Sequence, residues 1–464
     1  MRKNGWAAVL ALILSLCLLS GPARAADIME GTCGIEAYPE PNMYWTLDMD
    51  SYALTVTGER RMRDMKDGSL PWGLDVKTAV IGEGVANIGK CAFQNCRELT
   101  EIILPESLTE IGESAFFLCT SLPAITLPRG LTSIGEYAFE NCTALRSVEV
   151  PEGVTALPRD VFTTCYALTT VSLPDGLKSI GEAAFAYCRA LENISIPEHV
   201  TEIGPRAFYQ CEGLKGSLTL PKGLDRIEKE AFFGCSGFAG PLDLPAGITS
   251  VGDNAFCYCS GLTGTLSLPD GLKSIGDLAF GACSGFSGIL TIPQSVETVG
   301  EGAFAGCAGI SVAIIPEGVK SLGNLVFYEC GHLTDVYYGG TEAQWFDLVN
   351  GTQYYDSFGK TEIHFEATEL PPMGTMTDPK TGEMVTWILD EETGVVRIFG
   401  DVASDAPVFA ARYGEGGRLL TVKCLTWQGE ADLSGAESAR LFWMTADGVP
   451  KAPCGDVFSV SEKQ

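Results

Sequence analysis

The stretch Pro174-Asp175-Gly176-Leu177-Lys178-Ser179-Ile180-Gly181-Glu182-Ala183-Ala184-Phe185-Ala186-Tyr187-Cys188-Arg189-Ala190-Leu191-Glu192-Asn193-Ile194-Ser195-Ile196 is written, with small changes, eleven times between Ala92 and Cys330. The prolines that close the copies fall at 105, 128, 151, 174, 197, 221, 245, 269, 293 and 316, a step of 23 or 24 residues throughout. A fixed period of this length describes a solenoid, in which each coil buries its apolar face against its neighbours. About six large side chains per coil contribute roughly 1.5–3 kcal/mol each on burial. Ordering the backbone costs roughly 1–2 kcal/mol per residue, so no coil should fold alone.

Within one period, Leu99-x-x-Ile102-x-Leu104-Pro105 alternates as a strand with one buried face, closed by a proline that cannot donate to a ladder. A second extended piece, Leu108-x-x-Ile111, runs into Gly112, and Ala115-Phe116-x-x-Cys119 reads as a turn of helix pointing Phe and Cys inward. The acids after the glycine (Glu113, Glu136, Glu182, Asp253, Asp277, Glu301) read as caps satisfying free N–H groups where that turn opens. The chain has 17 cysteines, and one falls at the same inward position of every copy, from Cys96 to Cys330. Such a column has no paired geometry, so these thiols are expected to be small buried hydrophobes and not disulfides or metal ligands.

These residues resemble the BspA-type leucine-rich repeats of bacterial surface and secreted proteins, over about Val80 to Tyr338. Val161 and Val326 stand at the alanine position, and Pro158 and Glu228 at the glycine. Four coils between 197 and 293 carry one extra residue before the strand, as in Gly213-Leu214-Lys215-Gly216-Ser217, which a bulge or a change of curvature would absorb. The resemblance implies a β-rich solenoid, a leucine-rich-repeat array of about eleven 23–24-residue coils flanked by small β modules. The expected organisation is a signal peptide at 1–25, an N-terminal β module or cap at 26–76, the solenoid at 77–338, its C-terminal cap at 339–366, a linker at 367–384 and a β-rich module at 385–464.

Arg2 and Lys3, the apolar run Trp6 to Ser20 and the small-x-small site Ala23-Arg24-Ala25 form the secretory signal. No later segment has the length of a membrane span, so no membrane insertion is expected once the signal is removed. The whole chain has a net charge of −28 over 464 residues, and loss of the three basic residues of the signal takes it to −31. Nucleic acid and anionic membrane surfaces are therefore poor partners. The chain end, Ser459 to Gln464, has neither a sortase-type motif nor an apolar tail, which points to release or loose wall association.

Hydrolase signatures, P-loops and dinucleotide fingerprints are absent from the sequence, and its three histidines (His199, His332, His364) sit in no such setting. Asp48 and Asp50 read as turn acids more readily than as a calcium site. No cofactor or metal is expected. Along the outward strand position most residues are short and polar, whereas the positions after Ala-Phe carry irregular aromatics: Phe117, Tyr187, Tyr209, Phe233, Tyr258 and Tyr328, with Tyr166 just past a cysteine. These seven are the candidate ligand-binding residues, since exposed aromatics suit protein or glycan contact. The leading expectation is a secreted, non-enzymatic protein binding an extracellular protein or glycan, with adhesion or host contact implied by the resemblance. The alternative is an extracellular enzyme, or its accessory subunit, that uses the repeats for targeting. The sequence fixes no oligomeric state.

Overall fold

A computed structural model describes residues 27–34, 43–66, 69–349, 358–359 and 361–367, and beyond them the backbone of strands between 373 and 459. The expected signal at 1–25 lies outside the described residues. The chain winds into a β-solenoid of about thirteen turns. The extra turns beyond the eleven copies come from degenerate rungs at the ends, Ala53–Gly58 and Glu362–His364.

Each coil has three sides. One carries the strand before the proline, such as Glu101–Ile103, Ser147–Glu149 and Thr170–Ser172. The second carries the short strand before the glycine, paired in parallel and in register from coil to coil, as Ser179–Ile180 pairs with Glu202–Ile203. At the entrance to this strand a threonine hydroxyl often donates to the previous coil, as Thr132 does to the Thr109 carbonyl at 3.1 Å.

The third side is the Ala-Phe-x-x-Cys segment, and it is not the expected turn of helix. The N–H groups of Ser114, Phe116 and Leu118 donate to the carbonyls of Glu136, Ala138 and Glu140 in the next coil at 2.8–2.9 Å. Those of Ala115, Phe117 and Cys119 donate backwards within their own coil, to Gly112, Ser114 and Phe116. Alternate groups thus bond between coils and within the coil, leaving no buried N–H of this run unpaired. The alternation is achieved by placing two residues four apart in the left-handed region, Ser114 at φ 53° and Leu118 at φ 62°, which a helix does not do. Two of the acids expected as helix caps act differently: Asp277 Oδ1 accepts the N–H of Glu301 at 2.7 Å and Asp253 Oδ1 that of Asp277 at 3.1 Å, so these two cap the next coil and not a helix of their own.

Inside, eleven phenylalanines from Phe93 to Phe327 form one column, with centroids 5.3–5.6 Å apart and planes within 2–15°. This offset stacking is favourable for aromatic rings. Trp72 covers the first ring and is met edge-on by Trp45 at 6.1 Å. Phe358 and Trp345 close the other end. Trp345 sits on the helix Glu342–Leu348, which starts at a capping box between Thr341 and Gln344. At the N-terminal end the strands Ile28–Thr32, Met43–Asp48 and Ala53–Gly58 pair antiparallel, and Ala53–Gly58 then pairs in parallel with Thr78–Ile81, so they extend the first sheet directly.

The extra residue of the four long coils is a glycine-supported bulge. Gly216, Gly240, Gly264 and Gly288 all have φ between 76° and 89°, and around three of them the ladder shrinks to single bridges. The last rungs differ from the rest on their outer face. Val312 and Tyr337 are buried there with Ile289, Ile314 and Ala367. The strands Met373–Thr377 and Met384–Asp390 lie against Ser287–Thr291 beside them. Met373–Thr377 falls within the segment expected as a linker.

Candidate functional site

The eleven cysteines of the column, Cys96 to Cys330, are free thiols and buried. The thiols in the column donate to the carbonyl oxygen of the phenylalanine one coil back, as Cys142 does to Phe116 at 3.2 Å and Cys188 to Phe162 at 3.2 Å. Burial pushes the thiols of Cys142 and Cys188 up to about 12, so they stay protonated and unreactive in the folded chain. They belong to the scaffold. Asp48 does likewise: its Oδ1 accepts the N–H groups of Asp50 and Ser51, and those bonds hold its carboxyl below the ordinary range.

Of the seven candidate aromatics, the fold brings four into one line. Tyr187, Tyr209, Phe233 and Tyr258 come from four consecutive coils. Tyr187 meets Tyr209 edge-on at 5.2 Å, Tyr209 stacks on Phe233 at 4.8 Å with planes 10° apart, and Phe233 meets Tyr258 edge-on at 5.5 Å. The geometry follows from position. Tyr209 and Phe233 both stand directly after the column phenylalanine, so their rings are in register. Tyr187 and Tyr258 stand one residue later, at left-handed positions with φ 62°, and approach from the side. Arg189 and Arg206 lie over the rings of Tyr187 and Tyr209 at 6.0 and 5.9 Å. Both arginines also face carboxylates, Glu212 and Glu230. Tyr258 is 57% exposed and Tyr187 37%, while the two middle rings are half-buried. Phe117, Tyr166 and Tyr328 stand apart from this line; Tyr166 and Tyr328 are exposed singly.

Two grooves on the pre-proline side were not foreseen from the sequence. One of about 460 Å³ is lined by Glu149, Thr170, Ser172, Asp175 and Ser195 among others, and one of about 360 Å³ by Asn193, Ser195, Lys215, Thr219 and Phe238 among others. They share Ser195 and open where the strand ladder narrows to the single bridge Thr170–Asn193. Glu149 and Asp175 are exposed there.

On the Ala-Phe-x-x-Cys side, one carboxylate is shifted. Glu140, at the same position as Phe117 and Tyr209, is pushed up to about 7 by burial and by the neighbouring Asp160 charge, with Arg159 opposing. Asn141 donates to it at 3.2 Å, and Arg159 also covers Tyr137 at 5.8 Å. Among the described residues no helix is long and apolar enough to cross a membrane.

Comparisons with known proteins bear on the scaffold. A search of curated proteins found no match. Among solved structures, the chain is similar to a leucine-rich repeat protein from Bacteroides ovatus ATCC 8483, at 26% identity and a TM-score of 0.48, covering 71% of this chain and 76% of that one. It is similar to a leucine rich cell surface protein from Faecalibacterium prausnitzii A2-165, at 26% identity and a TM-score of 0.44, covering 68% and 98%. It is also similar to the pneumococcal vaccine antigen PcpA, at 16% identity and a TM-score of 0.42, covering 73% and 100%. The model of the BspA type leucine rich repeat region matches in overlapping segments 72–191, 114–239, 178–285 and 227–344. With more than half of its length matched, and with the coil geometry to carry the motif, this chain belongs to the BspA-type leucine-rich-repeat family.

Proposed function

We propose that this chain is an exported, non-enzymatic binding protein, and that its principal contact surface is the ridge Tyr187, Tyr209, Phe233 and Tyr258 with its flanking arginines. The observation that carries this reading is the contact of four aromatic rings across four coils, exposed at both ends. Tyrosine, phenylalanine and arginine are the side chains that concentrate energy in protein interfaces. Tyr209 and Phe233 spend one face each on the other and are met edge-on by Tyr187 and Tyr258, so the centre of the ridge offers ring edges and the Tyr209 hydroxyl. That favours a protein partner over a sugar, whose stacking needs an open ring face. The net charge of −28 favours a partner with a basic surface.

The exported location rests on the signal-like residues at 1–25. A role in adhesion or host contact follows from the family resemblance. The test is to present the purified protein to a panel of extracellular matrix proteins and to a glycan array. The reading expects a protein hit that Tyr209→Ala or Tyr258→Ala removes and Tyr166→Ala leaves intact. Hits confined to glycans, or a protein hit that ignores the ridge, contradict it.

A further inference from the structure

We propose that Asp335, Glu362 and His364 form a binding site for one divalent cation of the zinc class. The last rung of the solenoid, Glu362–His364, pairs in parallel with Asp335–Tyr338, setting Asp335 opposite Glu362 and Tyr337 opposite His364. Alternate residues of a strand share a face, so the three side chains emerge together. One donor atom from each lies within 4.8 Å of the others. His364 Nε2 is 2.9 Å from Asp335 Oδ1, and the Thr334 hydroxyl donates to Asp335 Oδ2 at 2.7 Å. The imidazole is held flat against the Tyr337 ring, 4.4 Å away and tilted by 13°.

Three features make this more than an ion pair at a strand end. Asp335 keeps only 3% of its surface exposed, and among the described residues the ionic partner that faces it is His364. Burying a carboxylate is costly unless a positive charge lies against it, and a second carboxylate beside it raises that cost. A cation supplies the charge. Both first ligands are already oriented by outer contacts, the carboxylate by Thr334 and the ring by Tyr337, as metal ligands commonly are.

The donor set selects the ion. One imidazole nitrogen with two carboxylates suits zinc and its first-row neighbours, whereas calcium and magnesium take oxygen donors. Two ligands at zinc bond lengths in a tetrahedron lie roughly 3.3 Å apart, so Nε2 and Oδ1 separate by a few tenths of an ångström as the ion replaces the proton between them. The imidazole then binds as the neutral ring with its proton on Nδ1. Three protein ligands leave one position for water. Since Asp335 belongs to one rung and the other ligands to the next, the ion would fasten the final rung to the array.

Titrating the chelator-treated full chain with Zn²⁺ by calorimetry, and with Co²⁺ by visible absorption, tests this. The expected result is one ion per chain at micromolar or tighter affinity and a raised melting temperature with Zn²⁺. His364→Ala and Glu362→Gln should each weaken binding by at least the roughly 10–100-fold that loss of an outer partner alone costs, while His199→Ala leaves it unchanged. Glu362→Gln, on the exposed side, decides the matter should His364→Ala fail to fold. Absence of one-to-one binding, or binding that survives both substitutions, overturns the proposal.

Discussion

The Phe116 carbonyl oxygen accepts two hydrogen bonds, one from the N–H of Cys119 in its own coil at 3.1 Å and one from the thiol of Cys142 in the next coil at 3.2 Å. That shared acceptor explains why cysteine recurs in this column. Alanine would pack there but donate nothing, and a larger residue would not fit between consecutive coils. The column is therefore a set of interlocking bonds along the axis, in parallel with the phenylalanine stack beside it.

Thiol reactivity should follow. In the folded, unreduced protein the column thiols should not react with a thiol reagent at neutral pH. Unfolding without reductant should release at least the eleven column thiols that are free in the structure. A mass-spectrometric count after alkylation in denaturant gives the answer, and a pattern of paired column cysteines would refute the interlocking role.

Phe208 lies between Phe185 and Phe232, with both neighbours stacked on it. Phe208→Ala should destabilise the array by about 3–5 kcal/mol, the range for emptying a buried phenylalanine site. Denaturant unfolding followed by circular dichroism measures it. The break falls mid-column, so a second transition is the expected signature as the two halves lose their coupling.

Glu140 gives a pH dependence of known sign. Its folded carboxyl is raised from 4.5 to about 7, so the native state holds a proton that the unfolded chain has released, and stability is lost as pH rises through that interval. Because the group is only half-buried, the loss should be about 1 kcal/mol and not the full value of the shift. Glu140→Gln should therefore match the wild type near pH 4.5 and exceed it above pH 7. Melting temperatures of the two proteins across this range decide it.

The fold was largely written in the period, because a coil that cannot fold alone forces its copies into register. The identity of the buried columns followed from it. The conformation of Ala-Phe-x-x-Cys did not, since non-glycine residues such as Ser114 and Leu118 take left-handed conformations only because the next coil supplies carbonyls for the N–H groups. Seen in one copy, that segment looks like a helical turn. Seven aromatics could be named as candidates, but the ridge required knowing that neighbouring positions in adjacent coils touch. Ile314 and Tyr337, apolar at an otherwise wettable strand position, were a readable sign that the last rungs are covered. The cluster at Asp335, Glu362 and His364 had no such sign. Its members lie on two rungs far apart in the sequence, outside any ligand-spacing motif.

The central claim is that the aromatic ridge is the contact surface, and affinity is its most direct measure. Surface plasmon resonance should compare the wild type with Tyr187→Ser/Tyr258→Ser on the matrix protein that the panel identifies. These outer rings are exposed, so the variant should melt with the wild type while its affinity falls at least about 30-fold, the effect of losing an interface hot spot. Equal affinity in an equally folded variant would contradict the account.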